Sequence, residues 1–206
     1  SLEELRAICE EAAAANTYVM AHAYSPASIT RAVRSGVRTI EHGNLLDEAA
    51  AKEMKQCGAV LVPTLATYAA ITAEAKAIGL AANVLEKLAR VAEQGVEAIR
   101  IAKAAGVPVA FGTDLLGHMH AYQSTEFALR SPATTPAEIL QSATSVAADV
   151  LNQSGKLGVI EKGALADLLV TEGDPTRDLS PLQTQATGLL AVMKAGRFYK
   201  NSLTSP

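Results

Sequence analysis

His22, His42 and Asp114 are the residues whose types and placing best suit chemistry. Each sits at the C-terminal end of a short apolar run that reads as a buried strand: TYVMAHA, VRTIE and GVPVAFGTD. In parallel α/β folds those ends form the functional face, because the loops that follow splay out and let side chains converge on a cavity. One histidine so placed is equally well read as a satisfied, partly buried imidazole. Three polar residues at the same kind of place are better read as a site. Imidazole and carboxylate are ligands for zinc and similar divalent ions, and a carboxylate beside such an ion can take a proton from the water it activates. His22, His42 and Asp114 are therefore the candidate metal residues, with Asp114 also the candidate catalytic proton carrier. Zinc is the default ion; manganese, cobalt or iron suit similar ligands. Tyr24, His118 and His120 are candidate substrate contacts, with rim packing the alternative for Tyr24 and loop packing for the two histidines of GHMH.

The elements that must position these residues follow a βα rhythm. Helical periodicity over Leu2–Ala15 gives way to a strand over Thr17–Ala23, then a helix from Pro26 that Gly36 ends, and a strand over Val37–Glu41. Asp47 is placed to cap a helix to Gln56, and Ala59–Leu65 is a third strand. A long helical region from Tyr68 to Ala105, broken near Gly79, precedes a fourth strand over Gly106–Asp114. Strands separated by helices predict a parallel sheet, either doubly wound or part of a (β/α)8 barrel. Helices are predicted over Glu126–Arg130 and Pro136–Asn152. From about residue 155 the texture changes to glycine-punctuated strands over Gly155–Glu172 and Leu189–Lys200, a small β lobe ending in an SLTSP tail predicted to lack order.

Composition narrows the function classes. The 206 residues are 49% hydrophobic and 19% charged, enough for one core and a small appended lobe. A net charge of −3 gives no positive field for nucleic acid or an anionic membrane. No run nears the roughly 18 apolar residues of a membrane span. The N-terminal SLEELRAICEEA is charged and helical rather than signal-like, which points to a cytoplasmic protein. Cys9 and Cys57 lie in alanine-rich helical stretches without partners at metal spacing, so they read as structural or incidental. No nucleophile elbow or phosphate-binding loop is present. The chain opens at Ser1 inside a helical segment with no strand before it, and so reads as a piece of something longer.

Four stretches carry a family resemblance: AHAYSPASITRAVRSGVRTIEHGN, VPTL, VPVAFGTDLLGHMH and SATSVAADVLNQSGKLGVIEKGALADLLVTEGDP. Together they resemble the C-terminal half of the amidohydrolase superfamily, nearest to imidazolonepropionase-like hydrolases and to the metal-dependent Xaa-Pro and Xaa-Arg dipeptidases known as prolidases. The resemblance implies strands five to eight of a (β/α)8 barrel over residues 1–154, with residues 155–206 forming part of a composite β lobe. It places His22 and His42 as ligands ending strands five and six, Asp114 as the aspartate ending strand eight, and Tyr24 as a substrate contact. The implied activity is hydrolysis of an amide or peptide bond by metal-activated hydroxide, with one or two divalent ions and Asp114 as proton shuttle. A dipeptide is the first expected substrate; a cyclic amide, or an inactive half barrel, are the alternatives. The family's His-x-His pair and bridging lysine have no counterpart here, so the resemblance also implies a homo-oligomer or pairing with an N-terminal half.

Overall fold

The computed structural model describes residues 1–203; the last three residues of the SLTSP tail lie outside the described range. Three strands, β1 (Met20–Ala23), β2 (Thr39–His42) and β3 (Val60–Val62), form a parallel sheet in sequence order. Their register pairs His22 with Glu41 and Ala23 with His42, so the C-terminal ends stand side by side. The helices α1 (Leu2–Ala14), α2 (Pro26–Arg34), α3 (Glu48–Gln56), α4 (Leu65–Glu74) and α5 (Ala82–Ala104) alternate with them. Local chemistry sets these boundaries. Ser25 and Asp47 cap α2 and α3 by accepting from the amides of Ser28 and Ala50. Gly36 and Gly58, with φ of 104° and 68°, turn the chain out of the helices into the next strand.

The expected fourth strand is reduced to a single parallel bridge between Leu61 and Val109. The Leu61 amide donates to the Pro108 carbonyl and the Ala110 amide to the Leu61 carbonyl. Pro108 has no N–H to extend the ladder, and the chain leaves strand pairing before Asp114. The result is an open parallel arc backed by helices, the architecture of half a (β/α)8 barrel. Leu61 and Ile40 on one face pack with Ile29, Val33, Met54 and Ala98 of the helices in the main core. Val60 and Ala110 on the other face pack with Val150.

Three further expectations are corrected. The single helix over Pro136–Asn152 is two, α7 (Pro136–Ala143) and α8 (Ser145–Val150), because Thr144 adopts φ −123° and ψ −93° and breaks the ladder. The third strand stops at Val62, since Pro63 follows and α4 begins at Leu65. Of Gly155–Glu172 only β4 (Leu168–Thr171) is a strand; it pairs antiparallel with β5 (Leu189–Lys194), which pairs with β6 (Arg197–Asn201). Two short helices, α9 (Ser180–Gln183) and α10 (Gln185–Gly188), were not foreseen. This β part meets the arc where Leu179 and Leu182 pack with Ile139 of α7, alongside Phe127 of α6 (Thr125–Arg130). Among the described residues no helix is long and apolar enough to cross a membrane, and Cys9 and Cys57 are free thiols.

Beneath the strand ends lies a buried ion pair, Arg130 Nε donating to Glu126 Oε1 at 2.6 Å, with side chains 1% and 0% exposed. Burial pushes the Glu126 carboxyl up and the Arg130 guanidinium down, and each charge opposes the shift of the other. Arg130 donates onward to the carbonyls of Pro63 at 2.7 Å and Ala110 at 2.9 Å.

The fit between α5 and the strand-end loops is equally specific. A Cβ on Gly95 would meet Leu65 Cδ2 at 2.6 Å and Asn44 Nδ2 at 2.7 Å. Alanine is favoured over glycine in a helix by about 1 kcal/mol. Asn44, however, is buried and donates to the Val91 carbonyl at 2.8 Å, so it has nowhere to move. Gly95→Ala is therefore expected to destabilise the protein by about 1–3 kcal/mol in chemical denaturation; unchanged or raised stability would show that the contact is loose.

Candidate functional site

His22 and His42 come together. His22 Nδ1 lies 2.7 Å from His42 Nε2, and the rings are tilted with centroids 4.9 Å apart. The other nitrogen of His42, Nδ1, is 2.7 Å from Thr64 Oγ1. Either tautomer of His42 satisfies both contacts; the one that leaves Nε2 as a lone pair has His42 Nδ1–H donating to Thr64 and His22 Nδ1–H donating to His42 Nε2. A nitrogen whose ring partner is anchored in this way is prepared as a ligand.

Backbone conformation marks the same place. His42 and Asp114 have φ of 72° and 50°, a left-handed region in which a non-glycine residue costs on the order of 1–2 kcal/mol. Such strain persists only where surrounding structure imposes it, and it gathers at functional sites. Gly43 continues the left-handed turn at φ 59°, and a Cβ there would lie 2.4 Å from Leu61 Cδ1. The tight turn ends β2 and carries the His42 ring back over the sheet towards His22.

Asp114 follows the bridged fourth segment and is exposed, while its neighbour Leu115 is buried against Ala66 and Ala70 of α4 and anchors the loop. The Asp114 charge reaches His42, Glu41 and Tyr68 electrostatically. It does not complete a ligand cluster: among the described residues no three His, Cys, Asp or Glu side chains stand where they could hold a metal ion. Tyr24 stacks on His42 with centroids 4.9 Å apart and planes 13° from parallel. His118 and His120 lie on an exposed 3-10 turn over Gly117–Tyr122, where His118 Nε2 is 3.8 Å from a Glu74 carboxylate oxygen. Neither is brought to the histidine pair by any contact.

The pair fits a divalent ion in part. Two nitrogens on one tetrahedral zinc, each at about 2.0–2.1 Å, stand roughly 3.3 Å apart, so the 2.7 Å pair must open slightly. Exposed His22 can give; buried His42 is fixed by Thr64. Further ligands have to come from Asp114 or from outside the described residues.

Several residues at the site were not singled out from sequence. Thr64 lies inside the predicted third strand, and in the structure it bonds to the His42 ring. Tyr68, buried, donates to Asn44 Oδ1 at 3.1 Å, and its hydroxyl lies 3.4 Å from that of Tyr24; burial, foremost, holds its proton far above the ordinary phenol range. Glu41 accepts from Thr39 Oγ1 at 2.6 Å, and burial raises its carboxyl. The available signal was positional, because Glu41 precedes His42 and Thr64 stands between the third strand and the next helix.

Burial holds the His42 imidazole below its ordinary range; Asp114 opposes that shift and His22 adds to it. The unfolded chain thus binds a proton at this residue more readily than the folded one, and the contribution of His42 to stability declines as pH falls through about 6.5. Glu41 works in the opposite sense, since a raised carboxyl favours the folded state at the acid end. Comparison with His42→Gln isolates the imidazole: the stability of the wild type relative to the variant is expected to shrink between about pH 8 and about pH 5 in thermal melts. Parallel profiles would show that His42 protonates freely in the fold.

Known proteins resemble this chain over nearly its whole length. Residues 1–198 match the Amidohydrolase family. A crystal structure of a prolidase complexed with N-methylphosphonate-L-proline superposes with a TM-score of 0.92 and 49% identity, covering 98% of this chain and 49% of that one. A Xaa-Pro dipeptidase with bound methionine in its active site gives 0.83 and 33%, covering 98% and 49%. Ochratoxinase of Aspergillus niger is 31% identical over 207 aligned positions, covering all of this chain and 43% of its own length; its crystal structure gives a TM-score of 0.81. The chain thus spans about half the length of the relatives it matches. With the parallel arc, the strand-end histidines and a match across nearly all its residues, the chain belongs to the amidohydrolase family.

Proposed function

We propose that this chain supplies the His22, His42 and Asp114 part of a metal-dependent site that hydrolyses amide or peptide bonds, a dipeptide of the Xaa-Pro kind being the substrate class its relatives favour. The observation that carries the reading is the convergence of His22 Nδ1 and His42 Nε2 to 2.7 Å at adjacent parallel strand ends, with His42 oriented by Thr64. The prolidase, Xaa-Pro dipeptidase and ochratoxinase relatives support it by the chemistry their names state.

A bound divalent ion, zinc by default, supplies Lewis acidity and lowers the pKa of water. His22 and His42 would hold it, with Asp114 as a further ligand. In hydrolysis Asp114 accepts the proton of the attacking water at a carboxylate oxygen and delivers it to the leaving amine nitrogen. It is suited to this because it stands exposed at the mouth of the arc, anchored by buried Leu115. Tyr24, 39% exposed and stacked on His42, offers a hydroxyl to a polar group of the substrate. His118 and His120, on the exposed turn that follows Asp114, would contact substrate from there.

The arc ends at β1, which among the described residues pairs only with β2, and Met20 on it is 58% exposed. An open edge of this kind invites another strand. A second copy of the chain or an N-terminal half is the partner class that fits.

Zinc added to metal-free protein is expected to bind near one ion per chain by equilibrium dialysis, and His22→Ala or His42→Ala to abolish that binding without unfolding the protein. Undiminished zinc in both variants would sink the assignment. In the assembled enzyme, Asp114→Asn should lower kcat on Xaa-Pro dipeptides by about 10²–10⁴-fold, while zinc remains bound. Full activity in that variant would remove Asp114 from the proton path.

A further inference from the structure

Thr64 occupies the N-cap position of α4, where a threonine hydroxyl ordinarily accepts from the second or third backbone amide of the helix. Here it makes no such bond, and its Oγ1 lies 2.7 Å from His42 Nδ1 instead. The capping duty has passed to another helix. Glu126 of α6 accepts from the Ala66 amide through Oε2 at 2.6 Å, with the Leu65 amide also within its influence.

Arg130 fixes the carboxylate that does this. Its Nε donates to Glu126 Oε1, its Nη2 to the Pro63 carbonyl at 2.7 Å, and its guanidinium lies over the Phe111 ring at 4.5 Å. Pro63 and Ala66 thus have their backbone groups held from below, and Thr64 lies between them. A buried ion pair is weak evidence for stability, because desolvation offsets most of the attraction. A neutral apolar pair would leave the Ala66 amide bare, and the ordinary acceptor for the second amide of a helix is the hydroxyl of its N-cap threonine, here Thr64.

We propose that Glu126 is a positioning residue for His42: by capping α4 from outside, with Arg130 holding it in place, it releases the Thr64 hydroxyl to orient the His42 imidazole. The same guanidinium donates to the Ala110 carbonyl at 2.9 Å, so one group also sets the spacing of the segments that end in Thr64 and Asp114. Neither Glu126 nor Arg130 touches the reacting atoms. The inference rests on His42 being a site residue, as argued under the proposed function.

The test compares two double variants that both lack the buried charges. Glu126→Gln/Arg130→Met keeps an acceptor for the Ala66 amide, whereas Glu126→Ala/Arg130→Met removes it. In metal-free, 15N-histidine-labelled protein at about pH 8, where imidazoles are neutral, the two His42 ring nitrogens report its tautomer. The wild-type signature, proton on Nδ1, is expected to survive in the glutamine variant and to become mixed in the alanine variant. Thr64→Val should give the same mixed signature. Zinc affinity should fall by about 10- to 100-fold in the alanine variant and in Thr64→Val, and less in the glutamine variant.

An unchanged His42 signature in the folded alanine variant would overturn the proposal and assign the pair to stability alone. If the double variants do not fold, the wild type still decides. A coupling across the hydrogen bond between the Ala66 amide nitrogen and the Glu126 carboxyl carbon is expected, and its absence would overturn the capping role. The metal-free tautomer does not depend on the hydrolase reading. A shifted His42 with no zinc bound even by the wild type would retire that reading and keep the positioning role, while zinc bound and His42 unmoved would do the reverse.

Discussion

A dry interior does not tolerate bare backbone carbonyls and amides, and at the ends of the third and fourth parallel segments this chain meets that demand with one buried guanidinium and one buried carboxylate. Arg130 serves the carbonyls of Pro63 and Ala110, and Glu126 serves the first turn of α4. Once these groups are satisfied, the loops beyond the strands need not fold back to pair with one another. They are free to carry polar side chains at the strand ends, and the site depends on that freedom. The apolar core around Ile40, Leu61 and Met54 supplies the bulk of the burial, but it fixes no direction for a side chain at a strand end.

Direction comes from strain and from hydrogen bonds. Parallel register brings the ends of β1 and β2 level, yet His22 is opposite Glu41 and His42 lies one residue further on. The left-handed turn at His42 and Gly43 corrects this offset by swinging the imidazole back towards His22. The conformational penalty of on the order of 1–2 kcal/mol is within what one bond to Thr64, one to His22 and a stacked Tyr24 ring can hold in place. Behind Tyr24, a chain of hydrogen bonds runs from the Val91 carbonyl through Asn44 to Tyr68, which ties the residues around His42 to α5 and explains why Gly95 must stay small.

The chemistry of the candidate site was legible to different depths. His22 and His42 could be read from sequence because two short apolar runs each end in a histidine, and the structure brings them together. Asp114 was readable by the same rule, but its strand is only a bridge at Val109, since Pro108 cannot donate and the chain departs early. The site's supporting residues were invisible for a physical reason. Thr64, Glu126 and Arg130 are ordinary cap and helix residues by local pattern, and they act through partners 22, 60 and 67 positions away.

Sequence by itself determined the βα rhythm, the helix cap at Asp47, the glycine exit at Gly36, and the residues able to ligate a metal, because each follows from local sterics, local hydrogen bonding or side-chain chemistry. Tertiary structure alone decided which nitrogen of His42 faces His22, that Thr64 serves a histidine rather than its own helix, and that a charged pair lies buried under the strand ends. Those are choices among alternatives of nearly equal local energy. Only the packing of distant segments, which fixes where each donor and acceptor finds its partner, separates them.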